Sequence, residues 1–275
     1  MANKRNIIKS KNYFESSNED FYFAHRYNKL SKKDILSNHT HDFFELVLIK
    51  KGAFTYHYEN FCFDASLNDL IITPPGIYHY YEAKGDKDYE RYIIQIKNKN
   101  LERHLDFNSV KKVSIFKQNT LQSIFSNIDF FCAKSGDLDK KLFQKTVAYQ
   151  IETLLICLSL IDELKASDLK TASGDTLSKI LEYINSNLST ISNTQDIAEK
   201  FFISKNYLFK LFSKYLKITP NKYVSQKKML LAKSLIDSGE KLTYVASVCG
   251  YKDYTVFYRN YVKFFSKSPS SEKRK

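Results

Sequence analysis

Short apolar runs separated by turn residues fill the chain from about Phe21 to Ile96. They read FYFAHRY, FFELVLI, GAFTYHY, FCFDA, DLIIT, YYEA and RYIIQI. Runs of this length and spacing, rich in aromatic and β-branched residues, are typical of antiparallel strands. The pattern predicts a small antiparallel β-barrel or sandwich in the first part of the chain.

The period of the apolar positions changes after Leu138. From there to Ile161 they recur at intervals of three and four residues, which predicts an amphipathic helix of about 25 residues. The earlier stretch LQSIFSNIDFFCA shows a weaker form of the same pattern and is expected to be its antiparallel partner. Such a pair could close the core of the barrel or join two copies of the chain, and we expect the helical segment 117–164 to dimerise the protein.

A polar stretch of small residues, KASDLKTASGD, follows this helical segment. Helical periodicity resumes directly after it at TLSKILEYINSNL and continues to the end of the chain. The predicted organisation is therefore α+β, with a β-rich domain at 1–164, a linker at 165–175 and an all-α domain at 176–275.

The all-α part contains an internal repeat with an offset of 49 residues, which aligns SKNYLFKLFSKYLKITP (204–220) with DYTVFYRNYVKFFSKSP (253–269). Each copy opens with a residue that caps helix N-termini, and each places apolar residues on one face and cations on the other. A short helix with a small residue precedes each copy, at Ala198 and at Ala246, and Gly250 supplies the second turn. Two helices that cross closely at a small residue form a helix-turn-helix unit, so the repeat predicts two of them.

The charge of the chain is concentrated in the repeat. Residues 176–275 hold 18 Lys and Arg against 7 Asp and Glu, a net of +11, whereas residues 1–175 hold 25 against 23, a net of +2. A compact basic segment favours binding to nucleic acid phosphates, although a lysine-rich proteome would also give a basic surface. Ordinary helical packing alone would not require both the repeat and the charge.

Composition narrows the class of protein further. A hydrophobic content of 43% with only 7 Gly and 4 Pro indicates packed globular cores. The 4 cysteines form no CxxC pair, which argues against a zinc knuckle or a disulfide framework and fits a reducing compartment. No signal peptide is evident, and the longest apolar run, TLLICLSLI, is too short for a membrane span. We expect a cytoplasmic protein.

Residues from about 180 to 275 resemble the DNA-binding domain of the AraC/XylS family of bacterial transcription regulators. The resemblance rests on IA…S…L…LF…P followed by VA…GY…F…R…P, with the long helix NKYVSQKKMLLAKSLIDS between the two units. Lys228 stands where the family usually has an arginine, and Phe202 and Ser266 replace common turn glycines. The resemblance implies a sequence-specific DNA-binding regulator, not an enzyme, with a homodimer, promoter DNA and RNA polymerase as candidate partners.

Position on the two recognition helices nominates the DNA contacts. A joining helix of about 17 residues spans about 25 Å, which would let one chain reach two successive major-groove segments. Arg259 is suited to guanine, Asn206 to adenine, and Thr255 or Phe209 to a thymine methyl. The full nominated set is Ser204, Lys205, Asn206, Phe209, Lys210, Tyr254, Thr255, Tyr258 and Arg259.

A second motif lies in the β-rich part. HTHDFFELVLIKKG places His39, His41 and Glu45 at spacings that resemble the first cupin motif, and NDLIITPPGIYH resembles the second and ends at His79. Alternation along a strand would put the first three on one face. The resemblance implies a cupin-like barrel in which these four side chains converge.

Two interpretations of the four residues remain open. In one they bind a divalent metal, in an enzyme or a metal sensor. In the other, which we favour, no cofactor is held and they line an effector pocket for a sugar or related metabolite. The expected pocket residues are His39, His41, Glu45, Tyr56, Tyr58, His79 and Tyr80.

Overall fold

The computed structural model describes residues 10–102, 104–105, 109–134, 136–161, 170–171 and 174–272. It divides into two compact units. The first comprises Met1–Ser37, Phe43–His57 and Cys62–Lys170, and the second comprises Asn38–Asp42, Tyr58–Phe61 and Thr171–Lys275. Strands come first and helices last, which confirms the predicted α+β class.

The β-rich part contains two sheets. Their strands are β1 Ser10–Ser17, β2 Phe21–Leu30, β3 Ile35–His39, β4 Phe44–Lys51, β5 Ala53–Tyr58, β6 Phe61–Ser66, β7 Asp69–Thr73, β8 His79–Ala83, β9 Lys87–Ile96, β10 Lys111–Ser114 and β11 Lys170–Thr171, with a short helix α1 at Lys99–Glu102. The six-stranded sheet has the order β1-β2-β9-β4-β7-β10, and the five-stranded sheet has the order β11-β6-β5-β8-β3. The cupin-like barrel expected from the sequence is confirmed.

The six-stranded sheet has one apolar face and one mixed face. In its register Glu45 lies opposite Gln95 and Thr73, and Arg26 lies opposite Arg91. Side chains alternate along a strand, so the odd-numbered residues of β4 and β9 share a face. That face looks toward the five-stranded sheet, because the Tyr89 ring packs at 5.1 Å on Phe54 of β5. The interior between the sheets is therefore lined by polar as well as apolar groups.

The other face of the sheet packs against two helices, α2 at Asn119–Ala133 and α3 at Lys140–Ser159. The predicted helix of about 25 residues is shorter by several, because the Asp139 side chain caps it by accepting from two backbone N–H groups. The apolar stripes of both helices enter one core with the strands, through residues such as Ile128 and Leu155. The inner face of the helix pair thus closes the core of its own chain.

From Asp175 onward the second unit is helical. Its helices are α4 Asp175–Ser186, α5 Thr194–Lys200, α6 Lys205–Leu211, α7 Pro220–Asp237, α8 Leu242–Val248 and α9 Tyr254–Phe265, with a π-helical turn at Phe212–Leu216 and a 3-10 turn at Pro269–Glu272. The predicted linker, 165–175, falls mostly outside the described residues. In the part of the chain that is described, no helix combines the length and apolarity that crossing a membrane requires.

Three turn positions carry residues other than glycine, although their backbone conformation favours glycine. Phe202, with φ of 52°, and Ser266, with φ of 57°, both adopt the left-handed conformation that favours glycine. Asn68, which stands in for a glycine of the cupin motif, has a φ of 68°. The backbone of the turns is kept although the glycines are replaced, and Phe202 is 97% exposed, so its side chain adds almost no packing.

Candidate DNA interface and interior barrel site

The first predicted helix-turn-helix unit consists of α5, a tight turn and α6. Asn193 and Asp196 form a reciprocal capping box at the start of α5, and the Ser204 hydroxyl accepts from the Tyr207 backbone N–H at 3.1 Å at the start of α6. Ala198 is buried between them with 1% exposure. The small residue Ala198 and the Ser204 cap are features that the repeat predicted, whereas the capping box of α5 was not predicted.

The outward positions of α6 carry the nominated residues. Ser204, Lys205, Asn206 and Lys210 are exposed and Phe209 is half-buried, whereas the inward positions of α6 are buried. Tyr207 is also exposed, at 45%, and it is not among the residues predicted to contact DNA. An aromatic residue at an outward position of the repeat was the signal that would have identified it.

The second helix-turn-helix unit, formed by α8 and α9, has the same construction. The Asp253 carboxylate accepts from the Thr255 backbone N–H at 2.6 Å, and this bond holds the pKa of Asp253 below its usual value. All four nominated residues of α9 are exposed: Tyr254, Thr255, Tyr258 and Arg259. The inward residues Phe257 and Tyr261 are fully buried, so the helix divides cleanly into a core face and a free face.

The long helix α7 joins the two helix-turn-helix units, and one of its residues is a buried lysine. Lys228, which replaces the usual arginine, is 6% exposed and donates to the Ile191 carbonyl at 2.8 Å. Burial lowers the pKa of Lys228 and raises the pKa of the neighbouring Cys249 thiol to about 12. With 18 residues, α7 spans about 27 Å, close to the length expected for it.

In the barrel, the four residues of the two cupin-like motifs come together. One ligand atom from each of His39, His41, Glu45 and His79 can be chosen so that all lie within 4.8 Å of one another. The alternation along one strand that was expected to group these residues does not account for their convergence, however. β3 ends at His39 and belongs to the five-stranded sheet, whereas Glu45 lies on β4 in the other sheet. His39 and Glu45 therefore do not share the face of one strand.

Hydrogen bonds orient part of this cluster. His79 Nδ1 lies 3.0 Å from the Ile77 carbonyl, which fixes Nδ1 as the protonated nitrogen and leaves Nε2 facing Glu45 Oε2 at 3.3 Å. Gln95 donates to the other oxygen of Glu45 at 3.4 Å. Imidazole nitrogens and a carboxylate so oriented suit a divalent transition metal, and they also suit the hydroxyl groups of a small ligand.

The expected aromatic residues divide between two faces. Tyr56 lies inside the barrel, where its hydroxyl is 2.6 Å from Thr73 Oγ1 and its ring is 5.7 Å from the ring of His79. Tyr58 is buried and packs on Phe61 at 5.6 Å. Tyr80 stacks on His57 at 4.4 Å on the other face of β8, because it is adjacent in sequence to His79. Tyr81, which contacts Tyr56 at 5.0 Å, takes its place in the interior.

Sequence reasoning missed a charged group in the same interior. Arg91 is 6% exposed, donates through Nη1 to Asn28 Oδ1 at 2.6 Å, and lies 4.6 Å above the Tyr89 ring. Its position in the run RYIIQI, on the same strand face as Gln95, was the available signal. An isolated arginine within an apolar strand is a candidate interior group.

Two models of known protein families match this chain, one in its β-rich part and one in its helical part. The family model of the AraC-like ligand binding domain matches residues 22–166, and the model of a helix-turn-helix domain matches residues 197–275. The Msm operon regulatory protein of Streptococcus mutans is 23% identical over 242 residues, covering 82% of this chain and 81% of that protein. The lactose operon transcription activator of Staphylococcus xylosus is 20% identical over 228 residues, covering 82% and 81%. A crystal structure of ToxT from Vibrio cholerae, 14% identical with a TM-score of 0.39, covers 90% of this chain and 96% of that one.

Proposed function

This chain belongs to the AraC family of DNA-binding transcription regulators, and we propose that a carbohydrate or related metabolite, bound inside its barrel, changes its binding to promoter DNA. The family consists of regulators and not enzymes, so the cupin-like barrel serves as a ligand-binding domain. The catalytic interpretation of the His39 motif is therefore set aside.

The observation that carries the proposal is the pair of capped helix-turn-helix units with free outer faces. Each recognition helix buries its apolar positions and leaves the nominated polar residues accessible. The segment that contains them holds a net charge of +11. A charged, accessible helix face of this kind is what major-groove binding requires.

The proposed contacts follow from side-chain chemistry. Arg259 presents a planar fork of donors that fits the O6 and N7 acceptors of guanine, and Asn206 can pair with adenine in the same bidentate way. Lys205 and Lys210 lie beside them on the exposed face of α6 and are suited to phosphates. Sequence specificity would then depend on Arg259 and Asn206, and the affinity for DNA would depend on the two lysines.

The proposed effector class rests on the interior of the barrel and on the relatives. The interior offers a carboxylate, imidazoles and phenol hydroxyls, which are the groups that hydrogen-bond to sugar hydroxyls. Relatives named for lactose and raffinose operons are 20% and 21% identical to this chain. Both observations favour a carbohydrate-related ligand.

A homodimer is proposed from the outer face of α3. Leu142, Tyr149 and Ile156 are exposed by 48%, 63% and 42%, and they recur at intervals of seven residues. Since their inward neighbours already close the core of the chain, this outer stripe is free to pack against a second copy. Effector binding would act on DNA affinity only through a difference in affinity for two arrangements of the dimer.

A metal sensor is the second candidate, and the convergence of His39, His41, Glu45 and His79 favours it. A bound divalent ion would then be the signal, in place of a metabolite. The two candidates differ in a measurable way, because a metal would be bound stoichiometrically and removed by a chelator.

The test is fluorescence anisotropy of the full-length protein on the DNA that precedes its own gene, with excess unrelated DNA as competitor and salt varied. We expect binding that survives the competitor and weakens steeply with salt. Equal affinity for both DNAs would contradict a sequence-specific regulator. Addition of mono- and oligosaccharides to the same assay then tests the effector.

A further inference from the structure

Two arginines lie side by side on the interior face of the six-stranded sheet. Arg26 on β2 and Arg91 on β9 are direct partners in the antiparallel register. Partners in such a register project from the same face of a sheet. The face is the interior one, because Tyr89, two residues from Arg91, packs on Phe54 of the opposite sheet.

The contacts that Arg91 makes among the described residues are neutral ones. It donates to the Asn28 amide oxygen at 2.6 Å and lies over the Tyr89 ring at 4.6 Å. Within the described part of the chain, no carboxylate lies within ion-pair distance of its guanidinium. A charge that is 94% buried therefore has an amide and an aromatic face as its compensation.

Arg26 adds a second positive charge across the ladder. Its Nη2 donates to the Tyr22 hydroxyl at 2.5 Å, and its buried Nε has no acceptor among the described residues. Arg26 and Arg91 therefore place two positive charges on the same face of the sheet.

Two phenol hydroxyls in the same interior lack partners. Tyr81 and Tyr89 are each 2% exposed, and neither hydroxyl has a hydrogen-bond partner in the part of the chain that the structure describes. Both rings pack on Phe54, at 4.9 Å and 5.1 Å. Burial raises the pKa of both hydroxyls, so they stay protonated and able to donate. Unsatisfied buried donors cost free energy unless a ligand accepts from them.

The geometry points to an anion site: we propose that Arg91, assisted by Arg26 and by the Tyr81 and Tyr89 hydroxyls, binds a phosphate or carboxylate group of the effector. The proposal rests on the proposed function and narrows it, because the effector becomes a sugar phosphate or a sugar acid and not a neutral sugar. Guanidinium groups bind both kinds of oxyanion through paired hydrogen bonds.

The rest of the interior fits the other end of such a ligand. A series of ring contacts leads from Tyr89 through Phe54 and Tyr81 to Tyr56 and on to His79. Glu45, with His79 and Gln95, lies in the same interior, close enough for its charge to act on the hydroxyls of Tyr81 and Tyr89. A hydroxylated anion would place its charged group at the arginines and its hydroxyl groups toward Glu45.

The test uses the full-length protein and four probes at matched ionic strength: glucose 6-phosphate, gluconate, inorganic phosphate and glucose. Binding is measured by isothermal titration calorimetry and by the shift in melting temperature. The variants are Arg91→Gln, Arg91→Lys and Tyr89→Phe. The matched control is Lys29→Gln, since Lys29 is exposed on β2 and projects from the face opposite to Asn28.

We expect glucose 6-phosphate, gluconate or both to bind. The affinities of inorganic phosphate and gluconate show whether the site prefers a phosphate or a carboxylate. Arg91→Gln should weaken that binding roughly 10- to 100-fold, and Tyr89→Phe roughly 3- to 10-fold. Arg91→Lys should restore part of the affinity because it keeps the charge without the fork. Lys29→Gln should bind as the wild type does.

Two results would overturn the proposal. One is binding of glucose 6-phosphate or gluconate that Arg91→Gln leaves unchanged, or that is no tighter than the binding of glucose. The other is the absence of binding by every anionic probe to a wild-type protein that melts cooperatively. Promoter binding is measured on the same wild-type sample. If that binding is sequence-specific but no anion binds, the anion site is refuted and the proposed function is not.

Discussion

Replacement of Gly250 by alanine is the sharpest test of how the second helix-turn-helix unit is held together. Gly250 ends the turn after α8 with a φ of 73°, a conformation that side chains with a Cβ rarely adopt. A Cβ placed there would lie 2.7 Å from the Ser189 carbonyl oxygen and 2.9 Å from Lys228 Nζ. The substitution therefore combines backbone strain with a steric clash.

The two costs can be estimated separately. The left-handed conformation costs alanine about 1–2 kcal/mol. Overpacking against a backbone oxygen and a buried ammonium adds about 1–3 kcal/mol. Gly239→Ala is the matched control, because Gly239 has a φ of 91° but no heavy atom within 4 Å of the added Cβ. It should show the first cost alone, and Gly250→Ala the sum, roughly 2–5 kcal/mol.

Differential scanning calorimetry of the full-length protein measures both. For a unit of about 100 residues, 1 kcal/mol shifts the melting temperature by about 4–8 °C. We expect Gly250→Ala to melt lower than Gly239→Ala by at least about 4 °C. Equal shifts for the two variants would refute the reasoning, since they would show that the close approach to Ser189 and Lys228 carries no cost.

Four further predictions concern function. Arg259→Gln should weaken binding to the cognate DNA about 5- to 100-fold in the anisotropy assay, whereas Lys29→Gln, a charge change at an exposed position of β2, should not. Equal affinities of Arg259→Gln and the wild type would exclude Arg259 from the interface. Tyr149→Asp should convert a dimer to monomers in sedimentation velocity, because it places a charge in the exposed stripe of α3, and an unchanged mass would remove α3 from the dimer contact. Asp253→Asn should lower the melting temperature above about pH 5 but lose that effect as the pH falls below about 4: the folded-state pKa is depressed, so the stabilising contribution is present above the unfolded pKa and disappears as the carboxylate is protonated. Metal analysis after chelation and dialysis should find much less than one ion per chain with effector binding intact; one tightly bound ion, lost in His79→Gln, would instead establish the metal sensor.

The helical half was predictable in detail because its signals are local. Capping residues, apolar spacing and a small residue before each turn sit within a few positions of one another, and each acts through short-range sterics and hydrogen bonds. Asp253 and Ser204 cap their helices as the repeat predicted. The exposed residues of α6 and α9 followed from the same periodicity, with Tyr207 as the residue that was overlooked.

The barrel interior was predicted only in part. The two cupin-like motifs named His39, His41, Glu45 and His79, and these do converge. Strand alternation gave the wrong reason for that convergence, because the chain passes from one sheet to the other between His39 and Glu45. The choice of Tyr80 over Tyr81 has the same origin, since a one-residue difference reverses the face of the sheet.

The class of the protein, the two helix-turn-helix units and the residues that face outward from them could all be predicted from local patterns in the sequence. They could be predicted because helix periodicity, capping and net charge are properties of short segments. Which side chains share the barrel interior depends instead on the folded chain, where Arg91 pairs with Arg26 across the sheet and Tyr89 packs on Phe54. Those pairs join residues some 65 and 35 positions apart, and their register depends on how whole strands align, which no local pattern encodes.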